Sequence, residues 1–269
     1  MALGENVNLH KKGSNRKVFA IRQHDQYSFR NTIRAGCIHE CWLFFKELRK
    51  GSNAEQVRRA LADGVILRNY AFSTRMALWK IFRTRYLNMT DPWVQNELIG
   101  SSQYGPESPE LISLLYLYFI LRDKLAFEFA TDYVWAKWTN QDCSIGSEDC
   151  SRFFIKLSQE FDSLPKITAK SRGKLIRNTV STLQDFGLVT GAKHRTISRP
   201  PVVPRTAFHL VRLLKLEGLS GKEILRAKDW RIFLWDEQDV SRMMTKLSQE
   251  KWIRYEKSGS IVNLEIRIE

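Results

Sequence analysis

The sequence is short of acidic residues, cysteines and long apolar runs, and each shortage narrows the possible functions. Against 43 Lys and Arg there are 29 Asp and Glu, which leaves a net charge of +14 over 269 residues. Such a surplus attracts polyanions and speeds their encounter with the protein, but it carries no sequence specificity. An anionic membrane surface or an acidic protein would be attracted as well. Charge alone therefore indicates only an anionic partner.

Four cysteines are too few for a disulfide framework in a chain of 269 residues. Cys37 and Cys41 share one face of a predicted helix, but a zinc site would need two further ligands, and Cys143 and Cys150 have the wrong spacing for a zinc knuckle. The first 24 residues are polar and basic, unlike a signal peptide. We therefore expect reduced thiols, no metal site and a cytoplasmic protein.

The longest apolar run, Leu111–Leu121, is interrupted only by Ser113. As a helix, a run of this length reaches about 16 Å, roughly half the thickness of the hydrocarbon core of a bilayer. The run therefore predicts the buried central helix of a globular domain, and we expect no membrane insertion.

Sequence motifs of catalytic sites are absent. The chain contains no GxxxxGK[ST] or GxGxxG loop for nucleotides, no GxSxG nucleophile turn and no HExxH zinc motif. Asp123, Glu128 and Asp132 are close in sequence, but acids in such a pattern usually form the solvated face of an amphipathic helix. We therefore expect a protein that is not an enzyme and that uses no cofactor.

Local signals divide the chain into segments. Residues 1–27 are predicted to form a flexible basic arm, and residues 28–140 a bundle of about six helices. Its first helix is expected over Phe29–Lys50, and Leu125–Trp138 is predicted to be its last. Other helix starts carry capping residues or a proline at the first helical position: Ser52–Glu55, Ser73, Asp91-Pro92 and Ser108-Pro109.

Residues 141–199 are predicted to form a winged-helix-like unit. A helix over Gly146–Phe161 precedes an amphipathic helix that ends at Gly187, and a short basic hairpin follows. The segment 166–199 holds eight Lys or Arg against one acid, Asp185. A helix followed by a basic hairpin is the arrangement in which a winged helix presents cations to a phosphate backbone.

The C-terminal part repeats this order. Residues 200–205 contain three prolines and are predicted to be a stiff linker. Residues 206–269 show three helical segments and then a hairpin, Trp252–Glu256 against Ile261–Ile268, and so predict a second winged-helix-like unit.

The pattern of segments resembles the BrxA family of BREX phage-exclusion systems, from about Ser28 to the C-terminus. The resemblance rests on Phe29–Lys50, the helix from Ser73, the apolar helix with Phe129–Trp138, Lys174–Val189, and Gly221–Arg267 with its DWRIF step at Asp229–Phe233. It implies a mainly α protein with a helical bundle base similar to the antitermination protein NusB. It also implies a role in phage defence, other BREX proteins as possible partners, and binding of double-stranded DNA.

Helical-wheel positions, not the resemblance, select the candidate DNA-binding residues. Groups suited to base edges in the major groove share the outer side of the 171–187 helix: Lys174, Arg177, Asn178 and Ser181. Groups expected to contact phosphates flank them: Lys170, Arg172, Lys193, Arg195 and Arg199. Equivalent positions in the second unit are Arg242 and Lys246.

Two alternatives remain at this point. The winged-helix-like units could dock an acidic protein of the same defence system, because the C-terminal hairpin is nearly balanced in charge. The helical base could bind RNA through its basic residues Arg75, Lys80, Arg83 and Arg85, although few exposed aromatics are available for stacking on bases.

Overall fold

The computed structural model describes residues 21, 22, 27, 35–89, 91–160, 168–259 and 261–267. The predicted mainly α fold is confirmed. The helices of the base and first unit are α1 Ile38–Arg49, α2 Ala54–Ala62, α3 Phe72–Phe82, α4 Pro92–Ser101, α5 Pro109–Leu121, α6 Lys124–Glu128, α7 Trp135–Thr139, α8 Ser147–Glu160 and α9 Ala169–Asp185. The C-terminal helices are α10 Pro204–Leu216, α11 Gly221–Leu225 and α12 Glu237–Gln249.

Two antiparallel two-stranded sheets complete the described fold. Strand β1 (Val189–Thr190) pairs with β2 (Thr196–Ile197) so that Val189 lies opposite Ile197. Strand β3 (Ile253–Ser258) pairs with β4 (Ile261–Ile266). Each hairpin follows a helix, α9 or α12, which is the order expected for a winged helix.

Helix α5 is the centre of the core, as its apolar run predicted. Ten of its residues, from Leu111 to Leu121, are buried. The end of α9 packs on it through Phe186, whose ring centroid lies 5.5 Å from those of Tyr116 and Phe119. Within the described residues, no helix combines the length and the hydropathy needed to cross a membrane.

The C-terminal helices also pack on α5. The Ser113 and Thr206 hydroxyls lie 2.7 Å apart, and the Tyr116 hydroxyl donates to the carbonyl of Ile232 at 2.7 Å. Helix α10 begins at Pro204, inside the segment expected to be a linker, because proline is favoured at a first helical position. The predicted boundaries at 200 and 205 therefore do not coincide with a break in the core, which is continuous from Ile21 to Leu264.

Several element boundaries differ from the sequence prediction. Helix α1 starts at Ile38, and the part of the prediction over residues 28–34 lies outside the described residues. Cys37 has a left-handed backbone (φ 55°), which ends any helix running into it. Helix α3 continues as a π-helix over Arg83–Leu87, and a second π-helix, Phe129–Val134, interrupts the helix expected over Leu125–Trp138.

The arm predicted over residues 1–27 is packed at the three positions that the structure describes. Ile21 is buried, and the Arg22 guanidinium is paired with Glu217 and Asp229. The Tyr27 hydroxyl donates to a Glu128 carboxylate oxygen at 2.8 Å. These residues attach the segment to the base and to the C-terminal helices; the rest of the arm lies outside the described residues.

A buried polar cluster joins α4 and α5 to α10. The imidazole of His209 lies with Nδ1 2.6 Å from the Tyr118 hydroxyl and Nε2 3.4 Å from Glu97. Burial lowers the pKa of His209, so the ring is neutral at pH 7. Burial opposes ionisation of Glu97, but hydrogen bonds from His209 and Arg205 lower its pKa to about 2.

This cluster predicts a loss of stability in mild acid. Below about pH 6.5, His209 is protonated in the unfolded chain, whereas burial opposes its protonation in the folded protein. Proton binding therefore stabilises the unfolded state relative to the folded state. We expect the stability to fall by up to about 1.4 kcal/mol per pH unit in that range from this group. Urea unfolding from pH 7.5 to pH 5 measures it.

The variant His209→Gln should remove that part of the pH dependence, because its amide does not titrate. His194→Gln, at an exposed position between β1 and β2, is the matched control and should keep the wild-type pH profile. A wild-type pH profile in His209→Gln would show that another group is responsible.

Candidate nucleic-acid interface

Helix α9 forms where the wheel pattern predicts it and turns its basic residues outward. The Thr168 side chain caps it by accepting a hydrogen bond from the Ser171 amide at 3.2 Å. Gly187, at φ +80°, ends it in the left-handed geometry that glycine favours. Its buried face packs into the core: Leu175, Ile176, Thr179, Val180, Thr182, Leu183 and Phe186.

The opposite face of α9 carries three of the four predicted cations, Lys170, Lys174 and Arg177, whereas Arg172 is three, four and seven residues before the buried Leu175, Ile176 and Thr179 and so lies on the core side. Lys170, Lys174 and Arg177 are exposed, and Arg172 is half-buried. None of these four side chains has an acidic partner within 4 Å among the described side chains. Asn178 and Ser181, at helical positions beside Lys174, are half-buried.

The hairpin after α9 is held against it. Gly191 has φ +84°, and a Cβ atom there would lie 2.2 Å from the carbonyl oxygen of His194, so the turn requires glycine. The Gln184 side chain donates to the Gly191 carbonyl at 2.7 Å and joins the loop to the helix. Lys193 is exposed in this loop.

A third extended segment, which the sequence prediction missed, supports the hairpin. The Ile145 amide donates to the Arg195 carbonyl at 3.1 Å, and the Ile197 amide donates to the Cys143 carbonyl at 2.7 Å. The segment pairs with β2 only through an isolated bridge, Ser144 opposite Thr196. It is too short for a periodic pattern, so the sequence carries no signal for it. The Arg195 side chain lies beside it half-buried, and its Nε has no hydrogen-bond partner among the described residues.

Arg199 and Arg242, both predicted to bind DNA, converge on one carboxylate. Asp239 accepts from Arg199 at 3.1 and 2.7 Å and from Arg242 at 2.5 Å. These guanidinium groups are therefore not isolated cations. Lys246, the other candidate on α12, is exposed and has no ion pair with the described side chains.

Of the four basic residues of the helical base considered for RNA binding, two are engaged in contacts within the fold. The Arg75 guanidinium donates to the carbonyls of Leu61, Tyr70 and Ala62 and so caps the end of α2. Arg85 is buried and donates to the carbonyls of Ala35 and Gly36. Only Lys80 and Arg83 of the four residues invoked for RNA binding are exposed, which weakens that alternative.

Two of the acids considered for catalysis, Asp123 and Asp132, form a helix cap and an ion pair within the fold. Asp123 is buried, not solvated as expected, and its carboxylate caps α6 by accepting from the Ala126 amide at 2.9 Å. Asp132 pairs with Lys228 at 2.8 Å. No group of three His, Cys, Asp or Glu among the described residues could hold a metal ion.

A groove of about 780 Å³ between residues 128–142 and α8 was not predicted. Several of its charged groups are paired within the groove: Lys137 lies 2.6 Å from Asp142, and Asp149 accepts from Tyr133 and Arg152 at 2.8 Å. Burial and the Asp149 hydrogen bond raise the pKa of Tyr133 to about 12, so its phenol stays protonated at neutral pH. This arrangement stabilises the packing of α7 on α8.

Comparison with known proteins adds a family and a fold neighbour. The family model described as BrxA matches residues 25–213. This range includes α9 and its hairpin but ends before α12, whereas the sequence resemblance was expected to reach the C-terminus. No curated protein matches the chain.

A solved structure shares the fold. The crystal structure of an uncharacterized protein from Magnetospirillum magneticum superposes with a TM-score of 0.60 at 14% sequence identity. The match covers 78% of this chain and all of the other. At this identity the likeness concerns the fold alone.

Proposed function

The chain belongs to the BrxA family, and from that premise we propose that it is a non-enzymatic, double-stranded DNA-binding accessory protein. Membership of the family points to a component of a BREX phage-defence system. DNA binding, the absence of catalysis and the winged-helix mode of binding are the parts of the proposal that go beyond the family.

One observation carries the proposal. Lys170, Lys174, Arg177 and Lys193 project from α9 and its hairpin without an acidic partner among the described side chains. A helix about 10 to 12 Å across fits the major groove of B-DNA, which is about 12 Å wide. A basic outer face beside a basic loop therefore suits a duplex, with the helix in the groove and the loop on a phosphate backbone.

The roles of the individual residues follow from their positions. In this proposal Lys174 and Arg177 face the base edges, with Asn178 and Ser181 beside them. Lys170, Arg172, Lys193 and Arg195 contact phosphates and set the register of the protein on the duplex. Location in the cytoplasm also belongs to the proposal, because free thiols such as the four cysteines persist there.

Salt dependence tests the proposal directly. With about six phosphate contacts, a log–log plot of the binding constant against salt concentration should have a slope of about −5, because each contact releases a counterion. Fluorescence anisotropy of the full chain with a labelled duplex, between about 50 and 200 mM salt, measures it. Affinity that barely changes over this range would count against phosphate-driven binding.

A side-by-side titration with duplex RNA and single-stranded DNA of equal length is the control. We expect the DNA duplex to bind best, since the deep, narrow major groove of A-form RNA excludes a helix such as α9. Tighter binding of RNA would indicate that the nucleic-acid site lies on a surface other than α9.

The alternative, a scaffold that docks other BREX components, has one observation in its favour. On the C-terminal hairpin Arg254 pairs with Glu256 at 2.8 Å and Lys257 with Glu237 at 3.6 Å, while Ile261 is 73% exposed. A surface with paired charges and an exposed apolar group suits a protein better than a duplex. Nuclease-resistant capture of a BREX protein, lost in the Arg242→Ala, Lys246→Ala double variant, would support it.

A further inference from the structure

The carboxylate of Asp239 gathers two arginines from different parts of the chain. Arg199 follows β2, and Arg242 lies one turn after Asp239 on α12. The Asp239 side chain is 8% exposed, whereas those of Arg199 and Arg242 are 45% and 74% exposed. These three side chains together carry one positive charge, and both guanidinium groups reach the solvent.

Both guanidinium groups keep hydrogen-bond donors that Asp239 does not use. A guanidinium has five N–H donors; Asp239 accepts two hydrogen bonds from Arg199 and one from Arg242. Neither arginine is hydrogen-bonded to another acceptor among the described residues. The remaining donors are therefore available to an anion from solvent.

Packing orients the Arg199 donors, and Asp239 holds the Arg242 guanidinium beside them. The Arg199 guanidinium lies over the Trp138 ring, 5.8 Å from its centroid, and the next residue, Pro200, is buried. Asp236, the acid one turn before Asp239, is used in the helix cap, where its Oδ1 accepts from the amides of Gln238 and Asp239. Oriented pairs of guanidinium groups are well suited to the oxygens of a phosphate.

We propose that Arg199 and Arg242 form a binding site for a backbone phosphate of duplex DNA, and that Asp239 is its positioning residue. The inference rests on the proposed DNA binding and extends it. Arg199 belongs to the hairpin that follows α9, and Arg242 to the second helix–hairpin unit. A phosphate bound here is therefore held by both units at once, which gives α9 and α12 one common register on the duplex.

The affinity of the variant Asp239→Asn for DNA distinguishes two roles of Asp239: orienting the arginines, or only adding a negative charge. Removing a negative charge near bound DNA should tighten binding if only charge matters. If Asp239 orients the two arginines, the variant should bind the labelled duplex about tenfold more weakly, with a salt slope shallower by about 1 to 2. The slope is the decisive measurement, because a purely structural role of Asp239 would not change it.

Glu250→Gln is the matched control, because Glu250 is an exposed acid at the other end of α12 without an ion pair to the described side chains. It should bind as the wild type does, or slightly more tightly. Arg242→Gln, at a mostly exposed side chain, provides a second test should Asp239→Asn unfold. Its slope should be shallower by about 1.

Three outcomes of these binding measurements decide the proposal. Weaker binding with a shallower slope in Asp239→Asn and Arg242→Gln supports the phosphate site. Unchanged or tighter binding by both, while the wild type binds DNA with a steep slope, overturns the site and leaves the proposed function standing. A wild-type protein that does not bind the duplex overturns both.

Discussion

Reversing the charge of Lys174 and Arg177 to glutamate should lower the affinity for duplex DNA by about 100-fold or more. Each substitution removes a cation from the outer face of α9 and places an anion against the phosphates. A loss of about 2.7 kcal/mol in total corresponds to 100-fold, and charge-assisted hydrogen bonds are each worth about 1.5 to 3 kcal/mol. Both side chains are exposed, so the fold should not change. Anisotropy titration of the labelled duplex measures the affinity.

The matched control reverses Lys80 and Arg83, which are exposed on the helical base. This double variant changes the net charge by the same amount but leaves α9 intact. We expect at most a fewfold loss of affinity, caused by the weaker long-range attraction. Equal losses in the two double variants would mean that net charge alone drives binding. Wild-type affinity in the α9 variant would place the interface elsewhere.

Replacing Arg122 with methionine should destabilise the protein by about 3 to 4 kcal/mol. The buried guanidinium donates to three backbone carbonyls, those of Thr84, Ile21 and Asn88, at 3.1 to 3.2 Å. A buried acceptor that loses its donor costs about 1 to 3 kcal/mol. The carbonyls come from two segments far apart in sequence, residue 21 and the π-helical turn that holds Thr84 and ends at Asn88, so methionine would loosen the packing of both on α5.

Thermal unfolding by circular dichroism measures the effect, and the midpoint should fall by roughly 10 °C. Lys80→Met is the control, because the same change at an exposed position should shift stability by at most about 0.5 kcal/mol. An unchanged midpoint for Arg122→Met would show that water replaces the guanidinium at these carbonyls.

Most helix starts that depend on neighbouring residues were predictable, but the cap predicted at Ser73 was wrong, because α3 begins at Phe72 and its N-cap residue, Ala71, makes no side-chain hydrogen bond. Asp91 and Ser108 cap α4 and α5 as expected, each ahead of a proline at the first helical position. The capping box of α2 was found with an error of one residue, since Asn53 and Gln56 form it. The start of α1 was not predictable, because the left-handed backbone at Cys37 carries no glycine signal. Only contacts with the rest of the fold select such a conformation.

Charged residues also divide into those whose environment was predictable from the sequence and those whose environment was not. The exposed cations of α9 were predictable because the side of a helix that faces solvent follows from the spacing of its apolar residues. Arg75, Arg85 and Arg199 look equally available in the sequence. The fold commits the first two to backbone carbonyls and the third to Asp239, forty residues away in sequence.

The sequence by itself determined the helical class, the central apolar helix, the amphipathic α9 and the excess of positive charge, since each depends on composition or on residues within a few positions of one another. The tertiary structure alone decided which cations remain available, where α1 begins, and that α10 packs on α5 instead of following a free linker. The physical reason is that burial, ion pairing and the satisfaction of backbone carbonyls join residues that are far apart along the chain. Local sequence patterns do not predict which of these distant residues will be in contact.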